Sequence, residues 1–495
     1  MPSLTFLASF KEHAGRTPTA PALITSAGVV TYGELAAQAT VFGDALRDAH
    51  VPADAPVCVY APTSAATVGL TIACLAEDRP VLLPSAELGE DTLGELVRRA
   101  GAEWILAPEP SGRMGDVNVR QVEPQPDHAA GPAVPGGVGL MLTTSGSTGV
   151  PKVVPLPRDG VEAFITWAAR RFGIGPGTPV LSYAPLNFDL SLLEVWATLA
   201  AGGSVVRVDA DRAGDGTYLR NLIDGHGVRL VQGVPMLYRL LQDAEPTAPA
   251  RLTAPRHVLF TGDTMPPKVL AAMPDLFPEA RFCNVYGCTE TNDSFLYEAD
   301  RTAMSAGEPL PLGTPLPGVD ALVLGADGLP LPGEGTGELV VRTPFQGRGY
   351  LGSGAAKGGF VTRDDAAGVP RVYFAGGDVV HRDADGCLTL VGRNDFQVKV
   401  RGTRVNVQEV EQVLLDHPDV VEAGVVAVPD ELAGHRLRAF VRAVPGAGLG
   451  VLKLRRYCAQ RLTRAAIPED LRIERDALPR GATGKIDRAA LRQLP

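Results

Sequence analysis

The sequence predicts an α/β protein: a large N-terminal domain of layered α/β subdomains plus a β subdomain, followed by a small α+β C-terminal domain. The 495 residues exceed one ordinary core and fit about three domain-sized units. From Val57 to Gly262, short β-branched runs alternate with longer stretches rich in alanine and leucine, which is typical of parallel α/β layers. Strands punctuated by glycine and proline follow Gly313, and the pattern changes again after Arg393.

The predicted strands are short runs that include β-branched residues, and the predicted helices are longer stretches, several of them rich in alanine and leucine. In the first region the predicted elements are the strands Val57–Tyr60, Pro80–Pro84, Val138–Leu142, Gly203–Val208, Arg229–Gln232 and His257–Phe260, and the helices Ala65–Ala76, Tyr218–His226 and Met236–Asp243. The later predictions are the strands Ala321–Leu324, Gly337–Arg342, Val420–Val428 and Arg438–Val444, and the helices Asn406–His417 and Leu452–Leu462. A hinge at Asn394–Asp395 divides the predicted domains 1–394 and 395–495.

Composition argues against several classes of partner. The net charge of −10, without a long run of lysine or arginine, disfavours nucleic acid and anionic membranes. The six cysteines are widely spaced, so neither a zinc site nor a disulfide framework is indicated. No stretch reaches the roughly 18 apolar residues of a membrane span, and the N-terminus lacks a signal-peptide pattern. We therefore expect a cytoplasmic protein.

The most informative segment is 143–152, Thr-Thr-Ser-Gly-Ser-Thr-Gly-Val-Pro-Lys, which directly follows an apolar strand. Its glycines allow backbone N–H groups to approach an anion, its hydroxyls add donors, and Lys152 adds charge. It is not a Walker loop, because Val150 and Pro151 precede the lysine and Val153 stands where a magnesium-binding hydroxyl is required. The segment predicts a phosphate-binding loop, with a flexible surface loop as the alternative.

Several motifs, in order, give the chain an end-to-end resemblance to the adenylate-forming enzymes, specifically the stand-alone amino-acid adenylation domains of the nonribosomal peptide synthetase type. They are Val30–Leu35, the segment 143–152, Phe188–Ser191, Asn284–Glu290, Gly377–Asp378 with Gly392–Arg393, Gln397–Gly402 and Gly484–Arg488. Two departures are Val153, where the family usually has glycine, and Cys288, where proline is commonest. The chain stops ten residues after Lys485, so we expect the thiol acceptor to be a separate protein.

The resemblance implies ATP and Mg²⁺ as cofactors and formation of an acyl-adenylate with release of pyrophosphate. It implies that Lys485, on a mobile small domain hinged at Asp395, contacts the substrate carboxylate, and that Glu290 holds Mg²⁺. For the second step, thioester formation, the resemblance implies that the small domain rotates to present the face that carries Lys399. An ordinary strand lysine is an equal alternative for this residue. The implied catalytic residues are Lys485, Glu290 and Thr144, and the implied nucleotide-binding residues are Thr143, Ser145, Gly146, Ser147, Thr148, Gly149, Lys152, Asn284, Tyr286, Gly287, Thr289, Asp378 and Arg393.

Four of these candidate residues also have a plainer interpretation. An ionised Asp378 can accept hydrogen bonds from both ribose hydroxyls, with Arg393 supporting it, or it can simply form a turn. Tyr286 can stack on adenine or belong to the core. Glu290 can instead be a first-turn helix carboxylate, and Lys485 can be a solvated lysine. The order of the motifs favours the functional interpretation in each case.

The family's specificity positions predict an amino-acid substrate. Asp189 pairs with the substrate ammonium, although it can also serve as a helix N-cap. Leu190, Leu193 and Leu259 fill volume, which favours glycine, alanine or serine. Because of Asp293 and Ser294, the alternative substrate is a β-amino or diamino acid for a polyketide macrolactam pathway. The predicted substrate-binding residues are Asp189, Leu190, Leu193, Gln232, Leu259, Thr261, Gly262, Val285, Asp293 and Ser294, with Lys485 completing the set.

The predicted function is therefore ATP-dependent activation of a small amino acid and its transfer to the phosphopantetheine thiol of a separate carrier protein. A carboxylic acid:CoA ligase is the second hypothesis, and it requires a basic patch for the CoA nucleotide. A catalytically silent nucleotide-binding protein is the third, and it requires losses among Lys152, Glu290, Asp378 and Lys485, none of which has occurred.

Overall fold

The structure is a computed structural model that describes residues 5–109, 116–122, 134–144, 151–352, 359–365, 368–393, 397–430, 434–444, 446–479, 486 and 488–494. Its residues group into two compact units. The larger unit comprises Met1–Ala86, Val97–Thr143 and Val153–Asn394, and the smaller comprises Glu87–Leu96, Thr144–Lys152 and Asp395–Pro495, in each case as far as the residues are described.

The strands, in chain order, are β1 Pro21–Thr25, β2 Gly28–Thr31, β3 Val57–Val59, β4 Val81–Leu82, β5 Trp104–Pro108, β6 Val117–Gln121, β7 Val138–Thr144, β8 Lys152–Pro157, β9 Pro179–Ser182, β10 Ser204–Arg207, β11 Leu230–Gly233, β12 His257–Phe260, β13 Arg281–Cys288, β14 Asn292–Ala299, β15 Thr314–Pro315, β16 Asp320–Leu324, β17 Gly335–Arg342, β18 Phe360–Asp364, β19 Pro370–Arg382, β20 Leu388–Arg393, β21 Gln397–Val400, β22 Thr403–Asn406, β23 Val420–Asp430, β24 Gly434–Ala443 and β25 Asp470–Glu474.

The α-helices are α1 Thr5–Arg16, α2 Tyr32–Asp48, α3 Ala65–Ala76, α4 Glu90–Arg99, α5 Arg158–Arg171, α6 Thr198–Ala200, α7 Gly216–Gly225, α8 Pro235–Gln242, α9 Pro267–Leu276, α10 Arg301–Ser305, α11 Val407–Leu415, α12 Val451–Ala459 and α13 Arg488–Gln493. A π-helix, Leu192–Ala197, runs directly into α6, and short 3₁₀ turns occur at Ala210–Arg212 and Arg464–Ala466.

The larger unit contains two sheets built around parallel strands. One has the order β15-β14-β13-β12-β11-β9-β10-β1-β2, and the other has the order β6-β5-β3-β4-β7-β8. In the first sheet, neighbouring strands in the segment β13-β12-β11-β9-β10-β1 are parallel. Strand β2 at one edge and strands β14 and β15 at the other are antiparallel to their neighbours. Parallel strands of this kind are buried on both faces, which explains their nearly continuous apolar runs. The predicted parallel α/β layers are confirmed, with antiparallel edges that the sequence did not indicate.

A separate antiparallel sheet follows in the same unit, with the order β16-β17-β19-β18 and β20 paired to β19. It packs on a core that includes Phe295, Val323, Leu339 and Val380, each at most 2% exposed. This sheet is the predicted β subdomain, and its strands β19 and β20 carry two of the candidate site residues.

The smaller unit is a compact α+β structure. It contains the hairpin β21–β22, the three-stranded sheet β23-β24-β25 and the helices α11 and α12, around a core that includes Val405, Val410 and Leu454 at 0% exposed. The predicted helix over 406–417 begins one residue late because Asn406 caps it, its side chain accepting a hydrogen bond from the backbone N–H of Gln408.

The predicted elements correspond to ten of the 25 described strands and five of the 13 described α-helices. The helix Ala65–Ala76 and the strand His257–Phe260 have the predicted bounds. Strand β25 was missing from the elements predicted for the C-terminal domain. It contains only two apolar residues, and its strand conformation depends on parallel pairing with β24. No described helix combines the length and apolar character needed to cross a bilayer.

Candidate functional site

Three predicted nucleotide residues meet in one hydrogen-bonded group, called here the Asp378 cluster: Asp378, Arg393 and Tyr286. Asp378 and Arg393 are directly opposite each other on the antiparallel strands β19 and β20. The guanidinium of Arg393 pairs with Oδ1 of Asp378 and also donates to the carbonyl of Gly376. The hydroxyl of Tyr286 donates to Oδ2 of Asp378 at 2.5 Å. The cluster therefore fixes a buried carboxylate with a donor on each oxygen.

The Asp378 cluster retains accepting capacity. A carboxylate offers about four lone-pair sites, so two oxygens that each have one donor can accept further hydroxyls. Burial, followed by the charge of Asp378, raises the pKa of Tyr286 well above its usual value. The phenol thus stays protonated and continues to donate. Its ring also has an edge contact with Phe295, at a centroid distance of 5.8 Å, so Tyr286 both packs and hydrogen-bonds.

A tight hairpin between β13 and β14 carries Thr289 and Glu290. Gly287 leaves no room for a side chain, because a Cβ there would be 2.1 Å from the carbonyl oxygen of Asn292. Asn292 itself has a φ of 55°, a left-handed conformation that asparagine tolerates. The first-turn helix interpretation of Glu290 is therefore wrong: the residue lies in the turn of a β-hairpin, where glycine and asparagine allow the chain to reverse.

Glu290 is 2% exposed, and its surroundings orient it. The hydroxyl of Tyr350 donates to Oε1 of Glu290 at 2.6 Å, and the backbone N–H of Gly347 donates to the Glu290 carbonyl at 2.8 Å. Among the described residues, no group of three or more histidine, cysteine, aspartate or glutamate side chains could hold a metal ion by itself. A lone oriented carboxylate fits Mg²⁺ that is held mainly by phosphates, since Mg²⁺ commonly takes one or two protein carboxylates.

Asp189 lies in the turn that precedes the π-helix, where the N–H of Leu192 donates to the Asp189 carbonyl at 2.9 Å. Burial raises the pKa of its carboxyl to about 6, a hydrogen bond with the side chain of Thr289 lowers it, and the charge of Glu290 raises it. The N-cap position of the π-helix is Ser191, so Asp189 does not cap that helix. The sequence alternative of a helix N-cap is therefore wrong for Asp189.

Asp293 belongs to β14, opposite Gly287. Burial, followed by the charge of Asp189, raises the pKa of Asp293 to about 8. The hydroxyl of Ser294 is fully buried and donates to the Asn292 carbonyl at 3.2 Å, so it stabilises the hairpin. Because successive residues of a strand face opposite sides, Asp293 and Ser294 do not share one face of β14.

Several predicted pocket residues gather where the parallel strands β11, β12 and β13 end. Gln232 is opposite Leu259 in the β11–β12 register, and Thr261 follows β12 with its N–H donating to the Gly233 carbonyl at 3.1 Å. Gly262 has a φ of +81°, which turns the chain away from the sheet edge. The carboxyl ends of parallel strands are where open α/β sheets bind ligands. The remaining members are Leu193 and Val285, which are buried, and Leu190, which is partly exposed.

Sequence reasoning missed Glu194, a fully buried carboxylate on the π-helix. Its Oε2 accepts from the backbone N–H groups of Tyr183 and Ala184, both at 3.0 Å, and its Oε1 accepts from the side chain of Gln232 at 3.4 Å. Burial raises its pKa to about 8, and the charge of Asp189 adds to that rise. The available signal was a single acidic residue inside the apolar run 192–199, Leu-Leu-Glu-Val-Trp-Ala-Thr-Leu.

The structure describes the remaining candidates unevenly. Thr143 and Thr144 end β7, and Lys152 begins β8, the next strand in the sheet. Asn284 donates its side-chain amide to the Pro311 carbonyl at 2.7 Å. Lys399 lies on β21, opposite Arg404. Outside the described residues are Ser145, Gly146, Ser147, Thr148, Gly149, Asp395 and Lys485.

Comparison with known proteins gives consistent matches. The family described as AMP-binding enzyme matches residues 10–351, and its C-terminal domain matches residues 409–485. The chain is 35% identical over 358 residues to the L-proline--[L-prolyl-carrier protein] ligase of Pseudomonas fluorescens, covering 72% of this chain and 68% of that protein.

Two further similarities extend over nearly the whole chain. Phenyloxazoline synthase MbtB of Mycolicibacterium paratuberculosis is 30% identical over 492 residues, covering 97% of this chain, which spans only 41% of that longer protein. The crystal structure of IdnL1 superimposes with a TM-score of 0.78 at 26% identity, covering 97% of this chain and 100% of the other.

Proposed function

Because the chain belongs to the AMP-binding enzymes, we propose that it activates a small amino acid with ATP and Mg²⁺ and transfers it to a carrier protein. The activated species is an aminoacyl-adenylate, formed with release of pyrophosphate, and the acceptor is the phosphopantetheine thiol of a separate carrier protein. The observation that carries this proposal is the Asp378 cluster, in which three residues predicted to bind the nucleotide are hydrogen-bonded to one another. The rise that the charge of Glu290 causes in the pKa of Asp189 further supports a candidate ammonium-binding carboxylate close to the candidate magnesium residue.

The Asp378 cluster supports the nucleotide half of the proposal. We assign the two ribose hydroxyls to the carboxylate of Asp378, which Arg393 and Tyr286 hold in place. The face of the Tyr286 ring suits adenine, since an aromatic ring provides contact area at low entropy cost. Thr143, Thr144 and Lys152 flank the segment that we assign to the phosphates, with Ser145, Gly146, Ser147, Thr148 and Gly149 between them.

The reaction brings a carboxylate to a polyanionic phosphate. Two unit charges about 4 Å apart repel by roughly 4 kcal/mol at an effective dielectric of 20, so cations are needed where they meet. We assign these cations to Lys485 and to Mg²⁺ held by Glu290. When bound, Mg²⁺ neutralises phosphate charge, while the contact with Tyr350 orients the Glu290 carboxylate.

We also propose a division into two domains whose relative rotation serves the two steps of the reaction. We place the boundary between 1–394 and 395–495, with Asp395 as the hinge that presents Lys485 for adenylation and later the face of Lys399 for transfer. The division of the chain into two compact units at this boundary supports the proposal. Transfer to a carrier is further supported by the P. fluorescens relative, whose name specifies an L-prolyl-carrier protein.

For the substrate, we propose an α-amino acid with a small side chain, in the class of glycine, alanine and serine. Asp189 accepts the ammonium, and the bulk of Leu190, Leu193 and Leu259 limits the side chain. A β-amino or diamino acid is the second candidate, favoured by Asp293, whose carboxyl lies close enough for the charge of Asp189 to raise its pKa. A second substrate ammonium, or one displaced by a methylene, would stabilise the ionised form of the Asp293 carboxyl.

Amino-acid-dependent exchange of pyrophosphate into ATP tests the proposal. The panel contains the common α-amino acids, including proline, together with β-alanine, 2,3-diaminopropionate and 3-aminobutyrate. A maximum at glycine, alanine or serine supports the small α-amino acid, and a maximum at a β- or diamino acid moves ammonium binding towards Asp293. No exchange with any amino acid, together with ATP-dependent thioester formation from a simple carboxylic acid and free CoA, contradicts the proposal.

A further inference from the structure

Glu194 is an unusual residue to bury, because its carboxylate has no cationic partner among the described residues. It is 0% exposed, and the positive groups that contact it are the dipoles of N–H bonds. A buried carboxylate without a cation destabilises a fold unless its oxygens are fully hydrogen-bonded. The bonds that Glu194 makes therefore indicate what it is retained for.

Those bonds form a chain through the candidate pocket. Oε2 of Glu194 holds the two N–H groups that immediately follow β9, at Tyr183 and Ala184. Oε1 receives the side-chain amide of Gln232, at the end of β11, and the same amide nitrogen donates to the carbonyl of Leu190 at 3.2 Å. Leu190 is the residue next to Asp189. Glu194 thus links two strand ends to the turn that carries the candidate ammonium-binding residue.

The helix geometry at this point is also specialised. Glu194 lies within the π-helix Leu192–Ala197, and π-turns in proteins occur frequently at functional sites. The hydroxyl of Thr198 donates to the carbonyl of Leu193 at 3.1 Å, five residues earlier, and so satisfies an acceptor of the widened turn. The backbone N–H of Glu194 donates to the Leu190 carbonyl at 3.1 Å, so backbone and side chain converge on one carbonyl group.

We propose that Glu194 is a positioning residue for amino-acid binding, acting through Gln232 and Leu190 to fix the Asp189 turn. This inference rests on the proposed function, because it assigns Asp189 to the substrate ammonium. It assigns to Glu194 no contact with the substrate. Replacing its carboxyl group should therefore weaken amino-acid binding while leaving ATP binding at the Asp378 cluster unchanged.

Glu194→Gln is the most informative variant because it keeps the volume of the side chain. Its one carbonyl oxygen can still accept the N–H groups of Tyr183 and Ala184, but its NH₂ group then faces the NH₂ group of Gln232. Gln232 must rotate, and its donation to the Leu190 carbonyl is lost. We expect the amino-acid KM in pyrophosphate exchange to rise about tenfold, with kcat and the ATP KM changed less than about twofold.

A double-mutant cycle distinguishes positioning from a general structural role. Gln232→Met is nearly isosteric and removes the amide through which Glu194 acts, so Glu194→Gln should have less than about twofold further effect in that background. Additive effects on KM, or a lower Tm with an unchanged amino-acid KM, would overturn the proposal. Glu298→Gln, at an exposed residue paired with Arg171, is the matched control and should leave every parameter unchanged.

Hydrogen exchange separates this inference from the proposed function. In the substrate-free protein, Glu194→Gln and Gln232→Met should each accelerate amide exchange in the peptide over residues 188–193, whereas Glu298→Gln should not. A wild type without amino-acid-dependent activity, combined with this acceleration, contradicts the proposed function but retains the positioning of the turn. Unchanged exchange in both variants overturns the positioning role. Gln232→Met supplies this test if Glu194→Gln does not fold.

Discussion

The two halves of the candidate site balance charge in different ways. In the Asp378 cluster, a carboxylate is paired with the guanidinium of Arg393 and with the hydroxyl of Tyr286. In the acidic cluster, defined here as Asp189, Glu194 and Asp293, burial raises the pKa of all three carboxyls, to about 6, 8 and 8. The Asp378 cluster therefore contains a positive charge, whereas the acidic cluster has none among the described residues.

This difference matches the ligands that we propose. A ribose is neutral and needs only acceptors, so a carboxylate already paired with arginine binds it without any change in charge. An amino acid brings an ammonium, and the acidic cluster, whose described residues include no cation, gains from binding one. The contrast favours the acidic cluster, rather than the Asp378 cluster, as the place where a cationic group of the substrate binds.

The largest expected effect comes from removing the ammonium partner. Asp189→Asn keeps the shape of the side chain but removes its charge, leaving a buried ammonium without its ion pair. Breaking a buried pair costs about 3–5 kcal/mol, so kcat/KM for the amino acid should fall roughly 200-fold or more. Pyrophosphate exchange over a range of amino-acid concentrations measures it. Asp224→Asn, at an exposed residue, is the control, and a loss below tenfold would place the ammonium elsewhere.

The next effect tests the other half of the comparison. Asp378→Asn replaces an accepting oxygen by a donating NH₂ group and leaves Arg393 without its ionic partner. Hydrogen bonds to a charged group contribute about 1.5–3 kcal/mol, so the ATP KM should rise about 10- to 100-fold. The amino-acid KM should stay within a factor of about three. Equal rises in both constants would show that the two halves are not separate.

Some elements and candidate site residues could be predicted from the sequence alone. The strand at His257–Phe260 and the helix at Ala65–Ala76 were located because their signal is local: a short apolar run in one and a longer stretch rich in alanine and leucine in the other. The resemblance also singled out Asp378, Arg393 and Tyr286 as candidates without any knowledge of β19 and β20. Their meeting, however, depends on a register in which Asp378 faces Arg393.

Other features were beyond the sequence because they depend on distant partners. Glu194 was missed, since the N–H groups that bind it follow β9 and its third donor comes from β11. A helix start at Glu290 stayed open as an alternative to the metal role, because a Thr-Glu-Thr-Asn segment carries capping residues in either a helix or a hairpin turn. Topology, which a single sequence does not reveal, decided both cases.

A third prediction uses pH to decide which amino acid fits the acidic cluster. For an α-amino acid held by Asp189 alone, the amino-acid KM should fall as pH rises through about 6, where that carboxyl ionises, and then level off. For a β- or diamino acid held by Asp293, the fall should continue to about 8 and disappear in Asp293→Asn. Pyrophosphate exchange at a series of pH values between about 5.5 and 9 measures how the amino-acid KM changes with pH.

The same Asp293→Asn variant makes a stability prediction. The pKa of Asp293 is raised on folding, so the native state binds more protons than the unfolded state, and stability falls as pH rises between about 4 and 8. The neutral variant avoids this loss. It should therefore be more stable than the wild type at pH 8, by an amount on the order of several kcal/mol, and should match it near pH 4. Thermal melts at both values test this, and an equal gain at both would assign the effect to packing.

The smallest expected effect again concerns the Asp378 cluster. Tyr286→Phe retains the ring but removes the hydroxyl that donates to Oδ2 of Asp378, while the Arg393 contact to Oδ1 remains. Because one hydrogen bond to a partly neutralised carboxylate is lost, the ATP KM should rise about 3- to 10-fold with little change in the amino-acid KM. Tyr457→Phe in the smaller unit, whose ring packs against His417, controls for loss of a phenol. A rise above 100-fold would mean that Tyr286, rather than Arg393, holds Asp378, and that the cluster depends on a neutral donor instead of an internal cation.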